Sequence, residues 1–149
     1  MATGLGATAA LTACSTTGTG TPIATPTTLP ATTATTPAAI DYQALAGKLA
    51  GHLLTPDTAG YDLARRSYNP LFDNRRPAAV ALCAKTADVQ ACVEAAATTH
   101  TPIAPRGGGH SYVGYSTPDN ALVVDLTGMA GIEVDGDTAT VGAGARLID

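Results

Sequence analysis

Three consecutive glycines, Gly107-Gly108-Gly109, sit between two short apolar runs, and that placement constrains the chain more than any other feature. Ile103-Ala104-Pro105 precedes them and Leu122-Val123-Val124-Asp125-Leu126 follows, and both read as short buried strands. Glycine takes positive φ without a Cβ penalty. The run can therefore turn successive amide N–H groups toward one point and leave room for a ligand to come close. The stretch Arg106-Gly107-Gly108-Gly109-His110-Ser111-Tyr112-Val113-Gly114-Tyr115-Ser116 reads as an anion nest that leaves one strand and feeds another, with His110 at its exit.

Other phosphate-binding loops do not fit. The stretch lacks the Gly-Lys-Ser/Thr ending of a P-loop, and Gly107-x-Gly109 is followed by Tyr112 where a dinucleotide fingerprint needs glycine. Gly142-Ala143-Gly144 fails in the same way, with Leu147 in the third position.

Around the nest, the patterning predicts a small α/β unit. Pro77 to Cys83 is a continuous apolar strand, and a helix follows from Thr86 or Asp88 with Val89, Cys92, Val93 and Ala96 as its apolar face. Pro102 to Pro105 is the next strand, so strand, helix and strand form a right-handed parallel unit. Beyond the nest, Ile132-Glu133-Val134 and Thr138 to Val141 flank Asp135-Gly136-Asp137 as a hairpin, and Ala145 to Asp149 opens a helix. Upstream, Asp41 caps a helix carrying Leu45, Leu49 and His52-Leu53, and a second helix runs from Thr55-Pro56-Asp57 through Tyr61 to Arg66. Tyr68 to Asn74 then breaks helical periodicity. Arg65, Arg66, Arg75 and Arg76 read as solvated charges, and His52 and His100 as structural. Cys83 and Cys92 read as buried small hydrophobes, with a disulfide in an oxidising compartment as the alternative. No metal-ligand spacing appears.

The N-terminal third has a different character. Leu11-Thr12-Ala13-Cys14 has the form of a bacterial lipobox, in which the cysteine is lipidated, although no basic residue precedes Leu11. Residues 15–40 are dominated by Thr, Pro, Ala and Gly, too poor in large apolar side chains to offset the entropy of ordering them, and read as a disordered tether. The expectation is an exported protein, either an envelope lipoprotein or secreted, that meets the membrane only through Cys14. A cytoplasmic location is the alternative. A net charge of −4, with 8 Lys and Arg against 12 Asp and Glu, makes nucleic acid a poor partner. About 110 residues remain beyond the tether, enough for one small domain with a modest core.

The ordered run Arg106-Gly107-Gly108-Gly109-His110-Ser111-Tyr112, Val123-Val124-Asp125-Leu126-Thr127, Ile132-Glu133-Val134 and Thr140-Val141-Gly142-Ala143-Gly144 resembles a known family. It is similar to the PCMH-type FAD-binding domain of the vanillyl-alcohol oxidase and p-cresol methylhydroxylase group, in its berberine-bridge-enzyme-like branch. The resemblance covers roughly residues 75–149. It implies an α+β fold: the N-terminal part of such a domain, with a small parallel α/β subdomain followed by the start of a second, mixed or antiparallel one. On that reading residues 1–14 are a signal and lipobox remnant, 15–40 the tether, and 41–149 the N-terminal part of a truncated FAD-binding domain.

The resemblance further implies FAD as cofactor, held by Arg106, Gly107, Gly108, Gly109, His110, Ser111, Gly114, Tyr115 and Ser116. His110 would carry the flavin covalently through its 8α-methyl carbon. A neutral imidazole nitrogen is a reasonable nucleophile for that carbon at physiological pH. The implied activity is that of an FAD-linked oxidoreductase, passing hydride from a small organic substrate to flavin with reoxidation by oxygen or another acceptor. The catalytic residues themselves are expected outside these 149 residues. The competing function is a non-catalytic envelope lipoprotein whose nest binds a small anion.

Overall fold

The computed structural model describes residues 38–146. The lipobox at Cys14, most of the tether and most of the expected C-terminal helix lie outside the described residues; Ala145 and Arg146 are not helical. Four strands form the main sheet: β1 (His52–Leu54), β2 (Ala79–Leu82), β3 (Ile103–Arg106) and β4 (Leu122–Asp125). Their order is β1-β2-β4-β3, with β4 parallel to both β2 and β3 and β1 antiparallel at the edge. The strands on either side of the connecting helix are thus not neighbours, because β4 inserts between them. The most apolar strand, Leu-Val-Val, takes the central position where both faces are covered, and all four of its residues are buried.

Period-two alternation divides the core. Ala79, Ala81 and Cys83 join Leu122 and Val124 on one face, where they meet Leu45, Cys92 and Ile40. Val80 and Val123 point to the other face and pack with Tyr61. Fully burying each of Leu122, Val80 and Val123 contributes about 1.5–3 kcal/mol. The first face is covered by α1 (Tyr42–Ala46) and α3 (Thr86–Thr99); Tyr61, on the second, belongs to α2 (Tyr61–Ala64).

Four expectations change, the first being the second helix, which is confined to Tyr61–Ala64 with turns over 56–60 before it. The helix capped by Asp41 stops at Ala46, with Gly47 as its C-cap, and His52-Leu53 belong to a strand. The reason lies at Gly51, where a Cβ would fall 1.8 Å from the Leu82 carbonyl oxygen, so only glycine lets the chain come alongside β2. In α3, Val93 faces solvent and the buried positions are Asp88, Cys92 and Ala96. Asp88 looks back past the helix start and accepts from the amides of Ala50, Gly51 and Ala84, an inward polar contact that an apolar-only reading passes over. Arg65 and Arg75 are not solvated charges. Arg65 is buried and donates to the Asp73 and Arg75 carbonyls.

Cys83 and Cys92 are both buried free thiols, as the small-hydrophobe reading expects. The adjacent Cys92 thiol, together with burial, pushes the Cys83 thiol far above its ordinary range, which keeps it unreactive. A separate hairpin, β5 (Ile132–Asp135) with β6 (Thr138–Val141), turns at Gly136-Asp137 as the alternation predicts.

Candidate flavin site

The glycine loop begins at the C-terminal end of β3, beside the C-terminal end of β4, the edge of a parallel sheet where ligands of α/β proteins gather. Arg106 and Asp125, the last residues of the two strands, are register partners. Asp125 Oδ2 accepts from Arg106 Nε at 2.9 Å and Nη2 at 2.6 Å, and Oδ1 accepts from the Thr127 amide at 2.9 Å and from its hydroxyl. The Arg106 guanidinium also reaches the Ala64 and Arg66 carbonyls and Thr117 Oγ1. Its donors are therefore committed to protein, and the side chain anchors the base of the loop to β4 and to the end of α2.

The loop amides are free. Among the described residues, the N–H groups of Gly107, Gly108, Gly109, His110 and Ser111 donate to no protein acceptor. Gly109 takes φ +71° and its carbonyl accepts from the Tyr68 amide at 3.2 Å, so the glycine conformation is held from behind by the preceding segment. A Cβ on Gly108 would fall 2.7 Å from the His110 ring, so the bare glycine is what lets the imidazole lie close to the loop. The first glycine touches the other glycine pair, with Ala143 O 3.4 Å from where a Gly107 Cβ would be. Gly142 and Gly144 press their own backbones onto the Met129 and Leu126 carbonyls, closer than any side chain allows. That contact accounts for Gly-Ala-Gly there without a phosphate.

Two hollows flank the loop. One, about 490 Å³, is lined by Gly107, Gly108 and Gly109 together with Leu63, Leu82 and Thr127. The other, about 280 Å³, is walled by Tyr68, Asn69, Pro70, His110, Ser111 and Tyr112. Gly114, Tyr115 and Ser116 line neither. They form the turn that closes the loop, in which Ser111 Oγ accepts from the Tyr115 amide at 3.1 Å. Arg75 holds this turn, donating to the Gly114 carbonyl at 2.7 Å and to the Val113 carbonyl at 3.3 Å while lying 4.8 Å over the Phe72 ring. Sequence reasoning missed Arg75 because its partners are carbonyls nearly forty residues away, and Phe72 because it meets Arg75 and Gly114 only once the chain has folded back; neither leaves a local pattern. It also passed over Tyr68, whose ring lies 4.3 Å from that of His110.

The arrangement fits a dinucleotide with a pyrophosphate. Amides without a protein acceptor among the described residues run through a bend at Gly109, and two hydroxyls, Ser67 Oγ and Ser116 Oγ, are buried with no hydrogen-bond partner among the described residues. A buried hydroxyl left unpaired costs about 1–3 kcal/mol, which a phosphate or ribose oxygen would relieve.

The profile described as "FAD binding domain" matches residues 77–149. These residues belong to the FAD-binding domain family. The chain is 36% identical over 102 residues to an uncharacterized FAD-linked oxidoreductase of Bacillus subtilis, covering 67% of this chain and 22% of that protein. It is 34% identical over 101 residues to the (R)-6-hydroxynicotine oxidase of Paenarthrobacter nicotinovorans, covering 64% and 21%. The structure of BBE-like 1 from Physcomitrella patens superposes with a TM-score of 0.65 at 37% identity, over 71% of this chain and 24% of that one. The chain thus spans about a fifth of the length of the curated relatives it matches. The FAD domain has the mixed α+β fold of the N-terminal part of a PCMH-type domain, and its cofactor is FAD. Among its described residues no helix is long and apolar enough to cross a membrane.

Proposed function

We propose that the protein is an FAD-dependent oxidoreductase that oxidises a small organic substrate, with the flavin attached through His110. The observation that carries this reading is the set of five unpaired amides, Gly107 to Ser111, at the C-terminal edge of β3 and β4 with an imidazole at their exit. When bound, FAD supplies a two-electron acceptor that takes hydride from the substrate and passes the electrons to oxygen or another acceptor.

The residues divide the work by position. Gly107, Gly108 and Gly109 offer backbone donors to the pyrophosphate, with His110 and Ser111 amides extending the nest. A net hydrogen bond of this kind contributes about 1 kcal/mol, rising toward 3 when the acceptor is charged. Arg106 works from beneath, since its donors are already held by Asp125 and carbonyls. Gly114, Tyr115 and Ser116 shape the closing turn, and Ser116 Oγ is the hydroxyl there with a donor to spare. His110 is exposed at the rim of the aromatic recess, where an imidazole nitrogen can reach a ligand ring.

The test is His110→Ala in the full-length protein. The denatured wild-type band should fluoresce as flavin and the variant band should not, with noncovalent flavin released on precipitation. A variant band that still fluoresces assigns the attachment elsewhere.

Domain organisation follows the same proposal: residues 1–14 as signal and lipobox, 15–40 as tether and 41–149 as part of the flavin domain, with Cys14 lipidated and the protein exported. Its support is Leu11-Thr12-Ala13-Cys14 directly before a Thr/Pro-rich stretch. Metabolic labelling with palmitate should mark the wild type and not Cys14→Ser, and label retained by the variant would remove the anchor.

A further inference from the structure

Tyr68 is an exposed aromatic residue held with unusual definition. The residue is 74% exposed, so it adds little to the core. Yet its amide is tied to the Gly109 carbonyl at 3.2 Å, and the next residue, Asn69, caps a short 3-10 turn at Pro70–Phe72 by accepting from the Leu71 amide at 3.0 Å. The backbone on both sides of the ring is thereby fixed. The ring itself lies 4.3 Å from the His110 ring, centroid to centroid, tilted by 37°. The backbone of Gly108 stands close to the same imidazole, at the position where a Cβ would be 2.7 Å away. His110 is thus limited by a glycine backbone and an aromatic face, while the rest of its surface opens into the recess.

We propose that Tyr68 is a positioning residue for His110, whose ring holds the imidazole in the orientation from which flavin attachment proceeds. The proposal rests on the reading of His110 as the attachment point. In that step a bond forms from an imidazole nitrogen to the 8α carbon of the flavin. One proton leaves that carbon and one leaves the imidazole, and both end with the electron pair on the ring system. Dioxygen then returns the ring system to its oxidised state and becomes hydrogen peroxide. A freely rotating imidazole presents its nitrogen in many directions; one leaning against a neighbouring ring presents it in fewer, and orientation of this kind is worth orders of magnitude in rate. The aromatic face does this work, so phenylalanine should replace tyrosine and alanine should not.

The experiment follows covalent flavin in the full-length apoprotein after addition of FAD, by fluorescence of the denatured band against time. Tyr68→Ala should slow attachment by at least about tenfold, the scale at which lost orientation is felt, and Tyr68→Phe should restore it to near the wild-type rate. A second readout needs no flavin: the His110 ring-proton NMR shifts of the apoprotein should carry a ring-current displacement that Tyr68→Ala removes and Tyr68→Phe keeps. Attachment at the wild-type rate in Tyr68→Ala overturns the proposal, as does a Tyr68→Phe variant as slow as alanine. Covalent flavin that survives His110→Ala instead overturns the attachment reading beneath it. The two failures differ, because in the first His110→Ala is unlabelled while Tyr68→Ala is labelled normally.

Discussion

Arg106 and Asp125 face each other across the ends of β3 and β4, register partners whose buried side chains meet at 2.6 Å. The glycine nest starts one residue after the first of them, so the ion pair fixes the point from which the loop springs. Removing one member leaves a buried charge without its partner, which costs about 3–5 kcal/mol. Asp125→Ala should therefore lower the urea midpoint of the full-length protein by that equivalent and weaken FAD binding with it. The double change Arg106→Met with Asp125→Leu should recover most of the stability but not the FAD affinity, since the Ala64 and Arg66 carbonyls lose their donor. Equal recovery of both properties would show that the pair serves the fold alone.

Gly114 provides a second test, because it couples two constraints. Its φ is +71°, and a Cβ there would fall 2.8 Å from Phe72 Cδ1 and 3.0 Å from Arg75 Cζ. Gly136 in the hairpin turn shares the positive φ, at +56°, but has nothing within 4 Å. Gly136→Ala should thus lose only the left-handed backbone term of about 1–2 kcal/mol, while Gly114→Ala loses that and displaces the Arg75 clamp. Thermal unfolding of the two variants separates the contributions, and equal losses would mean that the clamp yields freely.

The sequence made legible what periodicity and turn chemistry encode. Leu122-Val123-Val124 reads as a buried strand and Asp135-Gly136-Asp137 as a hairpin turn, and each is found there; the triple glycine follows directly on the end of β3. Features depending on one backbone meeting another were silent. Nothing local in Gly51 tells that Leu82 O lies against it, so a helix was extended through a strand. Arg65 and Arg75 looked like surface charges because a carbonyl acceptor has no residue type. Strand order is not legible for the same reason, since β4 reaches its place between β2 and β3 only after the glycine loop has turned the chain. The candidate residues Gly107 to His110 stand out in the sequence because glycine and histidine carry their chemistry in the letters.

Asp88 should give the fold a sensitivity to acid. Burial acts to raise its carboxyl, but amide donors from Ala50, Ala84 and Gly51 outweigh this and hold it below the usual carboxylate value. A lowered folded value means that its contribution is complete above the unfolded carboxyl pKa of ~3.9 and is lost as the pH falls from there through the folded value. Asp88→Asn should flatten that acid limb of the stability curve. It should also destabilise at neutral pH, because an amide cannot accept on both sides and each orphaned N–H costs about 1–3 kcal/mol. Unfolding midpoints from pH 7 to pH 2 check this, and an unchanged slope in the variant would assign the acid limb to other carboxylates.

The hairpin carries the last prediction. Ile132 pairs with Val141 and Val134 with Ala139, so alternation gathers these four on one face, while Glu133, Asp135, Thr138 and Thr140 share the other. The apolar face is open, with Val134 73% exposed and Val141 57%. Two-stranded hairpins are marginal by themselves; this one is tied at its base by Gly142 N to Gly131 O at 2.8 Å and Gly144 N to Met129 O at 3.1 Å. An amphipathic, edge-exposed ribbon seeks a partner, and in solution a second ribbon of the same kind is the nearest one. The 149-residue chain by itself should therefore self-associate at micromolar concentration. Val134→Lys, on the apolar face, should reduce that association without moving the unfolding midpoint, because the side chain packs against little. Glu133→Lys, its neighbour on the polar face, should leave association unchanged. Sedimentation velocity on the three proteins decides the matter, and equal effects of the two lysines would trace association to net charge rather than to the apolar face.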